Sequence, residues 1–339
     1  MIEPVVDVAA NPCCVCSAVD SELLWTNVWP EHGYPGEFSM RRCRQCGLLF
    51  NSPRLDDHEI ANLYGKNYYF FLRRDARELR RMVPIVQRTV ALVEDRIGER
   101  RCLDIGCGRG YLPAVLRKLG WEAHGVEISP EAAEYARRQF GLNVFTGTIE
   151  QYSASGPAET FPLVTAIDVL EHVPSPRGFF DAAARAVRPG GYLIIDTPNG
   201  GARNIDDRGA DWGGFNPFHI YLFSVPAVSR LLEERGFRVE HAFSYGNRRA
   251  ARAPLSRKLR DRAARALKRV GLIRPAAAMY FRLKALGPAN PRANGVLDEV
   301  VHEVRSCRPF TETPDATDEL APGARGDNIV VIARKAAPE

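Results

Sequence analysis

The most constraining feature of the sequence is an apolar, strand-like run that ends in an acid and continues into three alternate glycines. It spans residues 102–110 and reads CLDIGCGRG. Glycine has no Cβ, so the backbone can turn tightly there and approach a ligand closely. A helix predicted from about Tyr111 to Leu119 would point its first N–H groups toward that ligand. The run therefore predicts a nucleotide-type cofactor loop between a strand and a helix.

The order Asp-x-Gly-x-Gly-x-Gly, which begins at Asp104, resembles motif I of the class I S-adenosylmethionine (SAM)-dependent methyltransferases. A dinucleotide loop would instead read Gly-x-Gly-x-x-Gly, and a glycine-rich loop alone is also compatible with a plain tight turn. The resemblance covers roughly residues 99–245 and a final strand. It implies SAM as the cofactor, with a sulfonium and an amino acid in place of a pyrophosphate.

Later strand ends supply the other candidate cofactor contacts. A second strand, over residues 121–127, ends at Glu127, where a carboxylate can accept both ribose hydroxyls. Ser129 and Pro130 are typical of a helix N-cap and first helical residue. A third strand, over 143–147, precedes Thr148, where the family contacts adenine and where many members carry Asp. The resemblance implies a cofactor-binding set of Asp104, Gly106, Cys107, Gly108, Gly110, Tyr111, Glu127, Ile128, Thr148, Ile149, Asp168, Val169 and Tyr69.

Strand patterns alternate with helical patterns along the chain, which favours an α/β fold with a doubly wound sheet and a ligand site at the carboxyl ends of its strands. We predict four more strands, over residues 163–169, 190–199, 238–243 and 328–333. The expected fold is the Rossmann-like, seven-stranded class I methyltransferase fold with a small N-terminal zinc ribbon. Its predicted segments are a ribbon over 1–55, a helical linker or cap over 56–98, the SAM-binding core over 99–247, a basic helical insertion over 248–307, and a loop with the final strand over 308–339.

Two Cys-x-x-Cys pairs predict the ribbon. Cys13 and Cys16 form the first pair, Cys43 and Cys46 the second, and 26 residues separate the pairs. Each pair can hold one face of a tetrahedral Zn²⁺, so together they predict a closed, structural four-thiolate site. Cys14 is spare because its use would break the two-residue spacing. Reduced thiols without metal, or a redox pair, are the alternatives.

The ribbon followed by residues 64–69, YGKNYY, is similar to a group of bacterial methyltransferases found with sugar and secondary-metabolite pathways. In related enzymes such a tyrosine pair caps the cofactor pocket. Tyr68 and Tyr69 are therefore candidates for that cap, and packing against the core is the alternative.

A cluster of acids and histidine follows the fourth predicted strand. Asp168, Glu171 and His172 share one face if they form a helical turn. This set resembles the Glu-x-x-Glu-His set of ubiquinone-pathway O-methyltransferases and small-RNA 2′-O-methyltransferases, which is associated with a divalent metal. His219 occupies the place of a further histidine in the RNA group. The resemblance implies Asp168, Glu171, His172 and His219 as ligands of an ion such as Mg²⁺, although many sugar methyltransferases carry the same letters without a demonstrated metal.

Methyl transfer to an alcohol needs a base, because the hydroxyl is a poor nucleophile until it loses its proton. Imidazole titrates near neutral pH, so His219 is the first candidate base and His172 the second, with Asp168 beside them in the catalytic set. The structural alternatives are a histidine that braces the loop, for His172, and a loop anchor, for His219.

Charge is concentrated in one segment. Residues 248–284 hold thirteen Lys or Arg and one acid, a net charge of +12, whereas the whole chain carries +5. An amphipathic basic helix of this kind can lie on an anionic membrane, bind phosphate groups, or simply cover the sheet. The sequence has no run of 18 apolar residues and no signal-like N-terminus, so we expect a cytoplasmic protein with an option of peripheral contact at the inner face of the membrane.

The function favoured by these features is SAM-dependent methylation of a saccharide or other small-molecule acceptor, including lipid- or nucleotide-linked ones, most simply at oxygen. An RNA-directed 2′-O-methyltransferase is an alternative, but the modest overall charge and the lack of an aromatic basic platform argue against a nucleic-acid partner. A non-catalytic adaptor is the third option, against which the complete glycine loop and Glu127 count. Acceptor identity and oligomeric state are open.

Overall fold

The computed structural model describes residues 5–28, 37–56, 60, 75–156, 160–246, 293–306 and 325–337. The predictions for Tyr68 and Tyr69, for the basic segment 248–284 and for most of the loop at 308–326 lie outside these residues. Within them, no helix combines the length and the apolar character that a membrane crossing requires.

The N-terminal part forms short antiparallel strands around the two cysteine pairs. These are β1 (Val5–Val6), β2 (Ser21–Val28), β3 (Glu37–Cys43), β4 (Leu49–Asn51) and β5 (Arg54–Leu55). β2 pairs with β3 and β3 with β4, whereas β1 pairs with β5. Residues between the cysteine pairs therefore build an antiparallel pair of strands, β2 with β3.

A seven-stranded sheet forms the centre of the protein. Its strands are β6 (Arg101–Ile105), β7 (Glu122–Glu127), β8 (Asn143–Thr146), β9 (Phe161–Ile167), β10 (Val187–Pro198), β12 (Phe237–Tyr245) and β13 (Asn328–Lys335), and β11 (Tyr221–Leu222) lies elsewhere. Their spatial order is β12-β13-β10-β9-β6-β7-β8, in which β13 runs antiparallel to both neighbours and the remaining pairs are parallel. This is the predicted class I methyltransferase fold.

Helices cover both faces of this sheet. The described helices are α1 (Asp75–Arg88), α2 (Tyr111–Lys118), α3 (Pro130–Phe140), α4 (Ile149–Ser155), α5 (Pro176–Ala186), α6 (Arg203–Arg208), α7 (Val225–Glu233) and α8 (Ala293–Ser306). Of these, α6 packs with the ribbon, since its Ile205 lies in one cluster with Phe38 and Met40. Short 3-10 turns lie at Val8–Ala10, Val90–Leu92, Glu94–Arg96, Leu170–His172 and Gly209–Asp211. Because both faces are covered, the central strands are almost continuously apolar, and the first six residues of β9 are all buried.

Local signals set the helix starts near the cofactor loop. The Ser129 side chain accepts a hydrogen bond from Ala132 N, and Pro130 occupies the first turn of α3, as predicted. Thr148 and Gln151 form a reciprocal capping box at the start of α4. These caps fix the two helix N-termini that follow β7 and β8, next to the cofactor loop.

The fourth and fifth predicted strands differ most from the observed ones. The fourth ends at Ile167 and not at Val169, because Asp168 has a left-handed φ of 54° and the chain then enters the 3-10 turn at Leu170–His172. The fifth begins at Val187 and not at Gly190, and its register with β9 shifts between Val187 and Tyr192, where Gly190 has a φ of 74°.

One strand links the two sheets. β11 comes from the segment between α6 and α7, yet it pairs antiparallel with β4 and completes a four-stranded sheet of order β11-β4-β3-β2. The register places Tyr221 opposite Phe50 and Leu222 opposite Leu49. The cysteine-bearing part is thus hydrogen-bonded to the rest of the protein through a shared sheet.

Candidate functional site

The glycine loop between β6 and α2 has the backbone conformation that its composition predicts. Gly106, Gly108 and Gly110 all have positive φ angles, of 67°, 55° and 78°. Other residues rarely adopt this region, so the loop requires glycine there. At Gly110 a Cβ would also lie 2.6 Å from the Cδ1 atom of Leu142. Gly110 therefore lets the loop pack closely on α3 and the residues that follow it, on the side away from the ligand cavity.

A cavity of about 500 Å³ opens at the carboxyl ends of the central strands. This volume is in the range of cofactor sites. It brings together most of the sequence-predicted contacts: Asp104, Gly106, Cys107, Gly108, Tyr111, Glu127, Ile128, Thr148, Ile149, Asp168, Val169 and His172.

Glu127 is held in place at the edge of this cavity. Its Oε2 accepts a hydrogen bond from Gly108 N and its Oε1 accepts one from Ser129 N, both at 2.8 Å. Its residue is only 7% exposed, and burial raises the pKa of the carboxyl despite the two amide donors. Both oxygens keep further acceptor capacity, which suits the two hydroxyls of a ribose.

Asp104 lies at the floor of the cavity and accepts a 2.7 Å hydrogen bond from the Thr165 hydroxyl. Burial raises the pKa of its carboxyl to about 7, and the nearby charge of Glu127 acts in the same direction. Such a buried acid favours a ligand that brings positive charge, because the ligand offsets the desolvation of the carboxylate. The amino acid end of SAM and its sulfonium carry that charge.

This pKa shift predicts how stability depends on pH in the ligand-free protein. Asp104 keeps a proton in the folded state between about pH 4 and 7 that it has released in the unfolded state, so its contribution falls as the pH rises through that interval. Asp104→Asn cannot ionise and so lacks this loss of stability. We expect the unfolding free energy of the variant, relative to that of the parent, to rise by about 4 kcal/mol between pH 4 and a pH above 7. Denaturant unfolding at pH 5 and pH 8 measures most of this increase.

The exposed Asp207→Asn on α6 is the matched control and should differ from the parent equally at both pH values. Asp104→Asn should also weaken SAM binding. An equal effect of Asp104→Asn on stability at the two pH values would contradict the assignment of a raised pKa.

The adenine-side candidates occupy different positions. Thr148 uses its hydroxyl in the α4 capping box, where it accepts from Gln151 N. Ile149 is 3% exposed, whereas Ile128 is 42% exposed at the cavity rim. The two isoleucines offer apolar surface for a ring, and Thr148 acts first as a helix cap. Val169 packs against the loop, since a Cβ at Gly106 would lie 2.5 Å from its Cγ2 atom.

Helix α1 covers one side of the cavity, and the sequence did not identify its contribution. Glu78, Arg81, Met82 and Ile85 line the cavity. Arg81 donates to Glu78 Oε2 at 2.9 Å and lies 3.7 Å from Asp168 Oδ2. It thereby brings a guanidinium into the cavity, which suits a carboxylate ligand. The only sequence signal is a Glu and an Arg three residues apart, which is also common on solvated helices.

The same helix is fixed to the glycine loop through Asp75. Its Oδ1 accepts from Tyr111 Oη at 2.6 Å and from Arg109 Nη1 at 2.9 Å, and its Oδ2 accepts from Tyr135 Oη at 2.6 Å. The Arg109 guanidinium also stacks 3.6 Å from the centre of the Tyr135 ring. Tyr111, a predicted cofactor residue, therefore has a structural partner at its hydroxyl.

Two histidines and a glutamate form a second group beside the cavity. Ligand atoms of Glu171, His172 and His219 all lie within 4.8 Å of one another. The two rings meet edge to face with centroids 4.9 Å apart. Asp168 lies outside this group because its left-handed backbone and its contact with Arg81 turn it away from the predicted shared face.

Hydrogen bonds orient both imidazoles in the same way. Nδ1 of His172 lies 2.8 Å from the Phe218 carbonyl oxygen, and Nδ1 of His219 lies 2.9 Å from that of Gly214. Each Nδ1 must therefore carry the proton and donate it, which leaves Nε2 with a lone pair. Burial lowers the pKa of His172, and burial, which the neighbouring His172 reinforces because two adjacent rings resist carrying charge together, lowers the pKa of His219 to about 3. Both rings are thus neutral at physiological pH.

Glu171 completes this group from a buried position. It is 1% exposed, and burial, reinforced by the charge of Asp168, raises the pKa of its carboxyl well above the usual range. Thr197 donates a 2.9 Å hydrogen bond to its Oε2. A neutral pair of imidazoles beside a desolvated carboxyl is a donor set that favours a cation.

The four predicted ribbon cysteines also converge. The sulfurs of Cys13 and Cys46 are 3.6 Å apart, those of Cys16 and Cys43 are 3.5 Å apart, and all four lie within 4.8 Å of one another. Each pair is followed by a left-handed residue, Ser17 with φ 64° or Gly47 with φ 76°. This set fits a tetrahedral metal.

Cys14 does not belong to this group. Its hydrogen bond with Cys13, together with burial, raises the pKa of its thiol, so it stays protonated and is a poor metal ligand. The structure therefore agrees with the assignment of Cys14 as the spare cysteine.

Comparison with known proteins gives a consistent picture. A family model described as "Methyltransferase domain" matches residues 71–242. Among curated relatives, the ubiquinone biosynthesis O-methyltransferase of Proteus mirabilis is 29% identical over 151 residues, which are 43% of this chain and 61% of the relative. That of Burkholderia ambifaria is 38% identical over 104 residues, 30% of this chain and 45% of the relative. The chain thus spans roughly half of the length of these two relatives.

Solved structures show more distant likenesses. A SAM-dependent methyltransferase from Archaeoglobus fulgidus is 18% identical with a TM-score of 0.44, and the match covers 83% of this chain and 100% of that one. Magnesium protoporphyrin IX methyltransferase from Synechocystis with bound SAH is 16% identical with a TM-score of 0.45, and the match covers 55% of this chain and 92% of that one.

Proposed function

The chain belongs to the class I SAM-dependent methyltransferases, and we propose that it transfers the methyl group of SAM to a hydroxyl oxygen of a small-molecule acceptor. The observation that carries this proposal is the pair of neutral histidines beside Glu171, at the edge of a cavity that fits SAM. The curated relatives named as ubiquinone biosynthesis O-methyltransferases support oxygen as the methylated atom. The proposed acceptors include saccharides, among them lipid- or nucleotide-linked ones.

Different cavity residues would contact different parts of SAM. Glu127 would accept the ribose hydroxyls, Ile128 and Ile149 would cover the adenine, and Asp104 would balance the cationic amino-acid end. Arg81 would pair with the carboxylate of that same end. SAM supplies the electrophilic methyl group, and these contacts orient it so that an acceptor oxygen can approach in line.

We propose that Glu171, His172 and His219 hold a divalent cation. Two imidazoles with one carboxylate favour a borderline transition ion such as Mn²⁺, Fe²⁺ or Zn²⁺ over Mg²⁺, which prefers oxygen ligands. Such an ion lowers the pKa of a bound hydroxyl. His219, whose pKa is lowered to about 3, is a weak proton acceptor by itself, so its neutral Nε2 serves better as a ligand than as the predicted general base.

We further propose a structural Zn²⁺ at Cys13, Cys16, Cys43 and Cys46. The convergence of four sulfurs on two left-handed turns supports it. Four thiolates close the coordination sphere, so this metal holds the fold and has no open position for a substrate.

His219→Ala tests the proposed histidine site. We expect turnover to fall by about 100-fold or more while the dissociation constant for SAM stays unchanged, because a metal held by His219 would act on the acceptor and not on SAM binding. The assay is mass-shift detection of methylated product on a panel of phenolic, saccharide and sugar-nucleotide acceptors with an RNA oligonucleotide, followed by kinetics on the best acceptor.

The control is His302→Ala, which changes an exposed histidine on α8. Unchanged turnover in His219→Ala would remove His219 from the mechanism. Methylation of the RNA alone would replace the small-molecule acceptor with an RNA one.

A further inference from the structure

The loop that carries His219 is enclosed between the ribbon and the active site. We call residues 214–220 the histidine loop. Directly after it, β11 joins the ribbon sheet through its pairing with β4. At the loop's end, Ile220 N donates to the Glu171 carbonyl oxygen at 2.7 Å, while Ile220 O accepts from Asn51 N at 2.8 Å. One residue is thus hydrogen-bonded to both the proposed metal site and the ribbon.

Asn51, the last residue of β4, makes the closest side-chain contacts with this loop. It is 1% exposed, and its Nδ2 donates to Asn216 O at 2.8 Å and to His219 O at 2.7 Å. Its Oδ1 has no hydrogen-bond partner among the described residues. Two amide hydrogens therefore fix this side chain, and both of them bind carbonyls of the histidine loop.

Inside the loop, these contacts continue to both imidazoles. Asn216 Oδ1 accepts from Phe218 N at 3.0 Å and from His219 N at 3.1 Å. The Phe218 carbonyl in turn accepts from Nδ1 of His172. The loop conformation that Asn51 supports is thus the one that sets the orientation of His219 and offers His172 its hydrogen-bond acceptor.

In the other direction, Asn51 is connected to the cysteine cluster. Gly47 N donates to the Cys43 carbonyl and Cys43 N donates to the Leu48 carbonyl, both at 2.9 Å. These bonds form the turn of the second cysteine pair and lead directly into β4. A metal on Cys43 and Cys46 would therefore fix the turn from which the strand bearing Asn51 begins.

From these connected contacts we propose that the ribbon maintains the geometry of the acceptor site. Asn51 is the positioning residue, because it holds the histidine loop so that His219 and His172 converge with Glu171. The proposal rests on the proposed function for the role of the histidines. It assigns the metal of the four-cysteine site an indirect part in methyl transfer, through the geometry of a histidine that lies on another segment of the chain.

The test replaces Asn51 by leucine, which keeps a similar volume but removes both amide donors. Asn27→Leu is the matched control, because Asn27 is another ribbon asparagine whose Nδ2 donates across to the core, to the Ala210 carbonyl at 3.3 Å. Both variants are measured in the full, zinc-replete chain by hydrogen exchange with mass spectrometry over the histidine loop, by Co²⁺ titration, and by calorimetry with SAM.

For Asn51→Leu we expect faster exchange of the histidine loop and an affinity for Co²⁺ reduced by about tenfold or more, as for other residues that orient metal ligands. Zinc content and SAM affinity should match the parent, and Asn27→Leu should match it in every measurement. Unchanged loop exchange with unchanged Co²⁺ affinity in Asn51→Leu would overturn the proposal.

Two other results, misfolding of Asn51→Leu and a parent that binds no Co²⁺, each have a clear interpretation. If Asn51→Leu fails to fold, Asn51→Ala asks the same question with a smaller side chain, since it also removes both amide donors to the histidine loop. Parent-like loop exchange in that variant overturns the proposal. If the parent binds no Co²⁺ beyond its zinc, the proposed divalent site fails, and faster loop exchange in Asn51→Leu alone would still support the positioning role.

Discussion

Replacing Glu127 by alanine should weaken the binding of SAM by about 100-fold or more. Hydrogen bonds to a charged carboxylate contribute about 1.5–3 kcal/mol each, and the ribose would lose two of them. The change would also leave Gly108 N and Ser129 N without their acceptor, which loosens the glycine loop. Isothermal titration with SAM and with S-adenosylhomocysteine measures the loss, and both ligands should lose equally because they share the ribose.

The matched control is Glu122→Ala, which removes a carboxylate with a 62% exposed side chain from the other end of the same strand. Its affinity for SAM should equal that of the parent. If Glu127→Ala binds SAM as tightly as the parent while remaining folded, the ribose is held elsewhere and the assignment of this cavity edge is lost.

Cys43→Ser should abolish stoichiometric zinc and, with it, methyl transfer. Structural zinc in a four-ligand site contributes about 10–16 kcal/mol of apparent binding free energy at neutral pH, far more than a short hairpin can replace. Since the ribbon sheet includes β11, its loss should also disorder the histidine loop, whereas the SAM cavity lies on the other sheet. Metal analysis, product formation and calorimetry with SAM separate these effects.

Cys14→Ser is the control for this change, because Cys14 lies outside the converging sulfurs. It should keep one zinc per chain and full activity. Retention of zinc by Cys43→Ser would contradict the four-cysteine site, and full methyl transfer by a zinc-free protein would contradict the link between ribbon and histidine loop.

The sequence was most informative where a local pattern determines a local structure. The glycines of the cofactor loop need a left-handed backbone, Glu127 ends a strand next to that loop, and the cysteine spacing predicts a four-sulfur cluster. These features depend on neighbours along the chain, and the structure shows the left-handed glycines, the contact of Glu127 with Gly108 and the convergence of the four sulfurs.

The parts that sequence reasoning missed depend on contacts between distant segments. Asn51 binds a carbonyl 165 positions away, and Asp75 binds Tyr111 across 36 positions. No periodicity or spacing marks either partner. Asp168 was missed for a different reason. Its side chain type suited the predicted cluster, but its left-handed backbone directs it to Arg81, and no neighbouring glycine or proline indicated that conformation.

The position of β13 has a consequence for how the chain is made. This strand fills the space between β10 and β12, although it is synthesised long after both. A nascent chain that has emerged only through residue 246 therefore leaves β10 with an open edge and β12 without the strand it pairs with. The sheet can close only when residues 328–335 are available, and a chain that lacks them leaves these strands open to pairing with other chains.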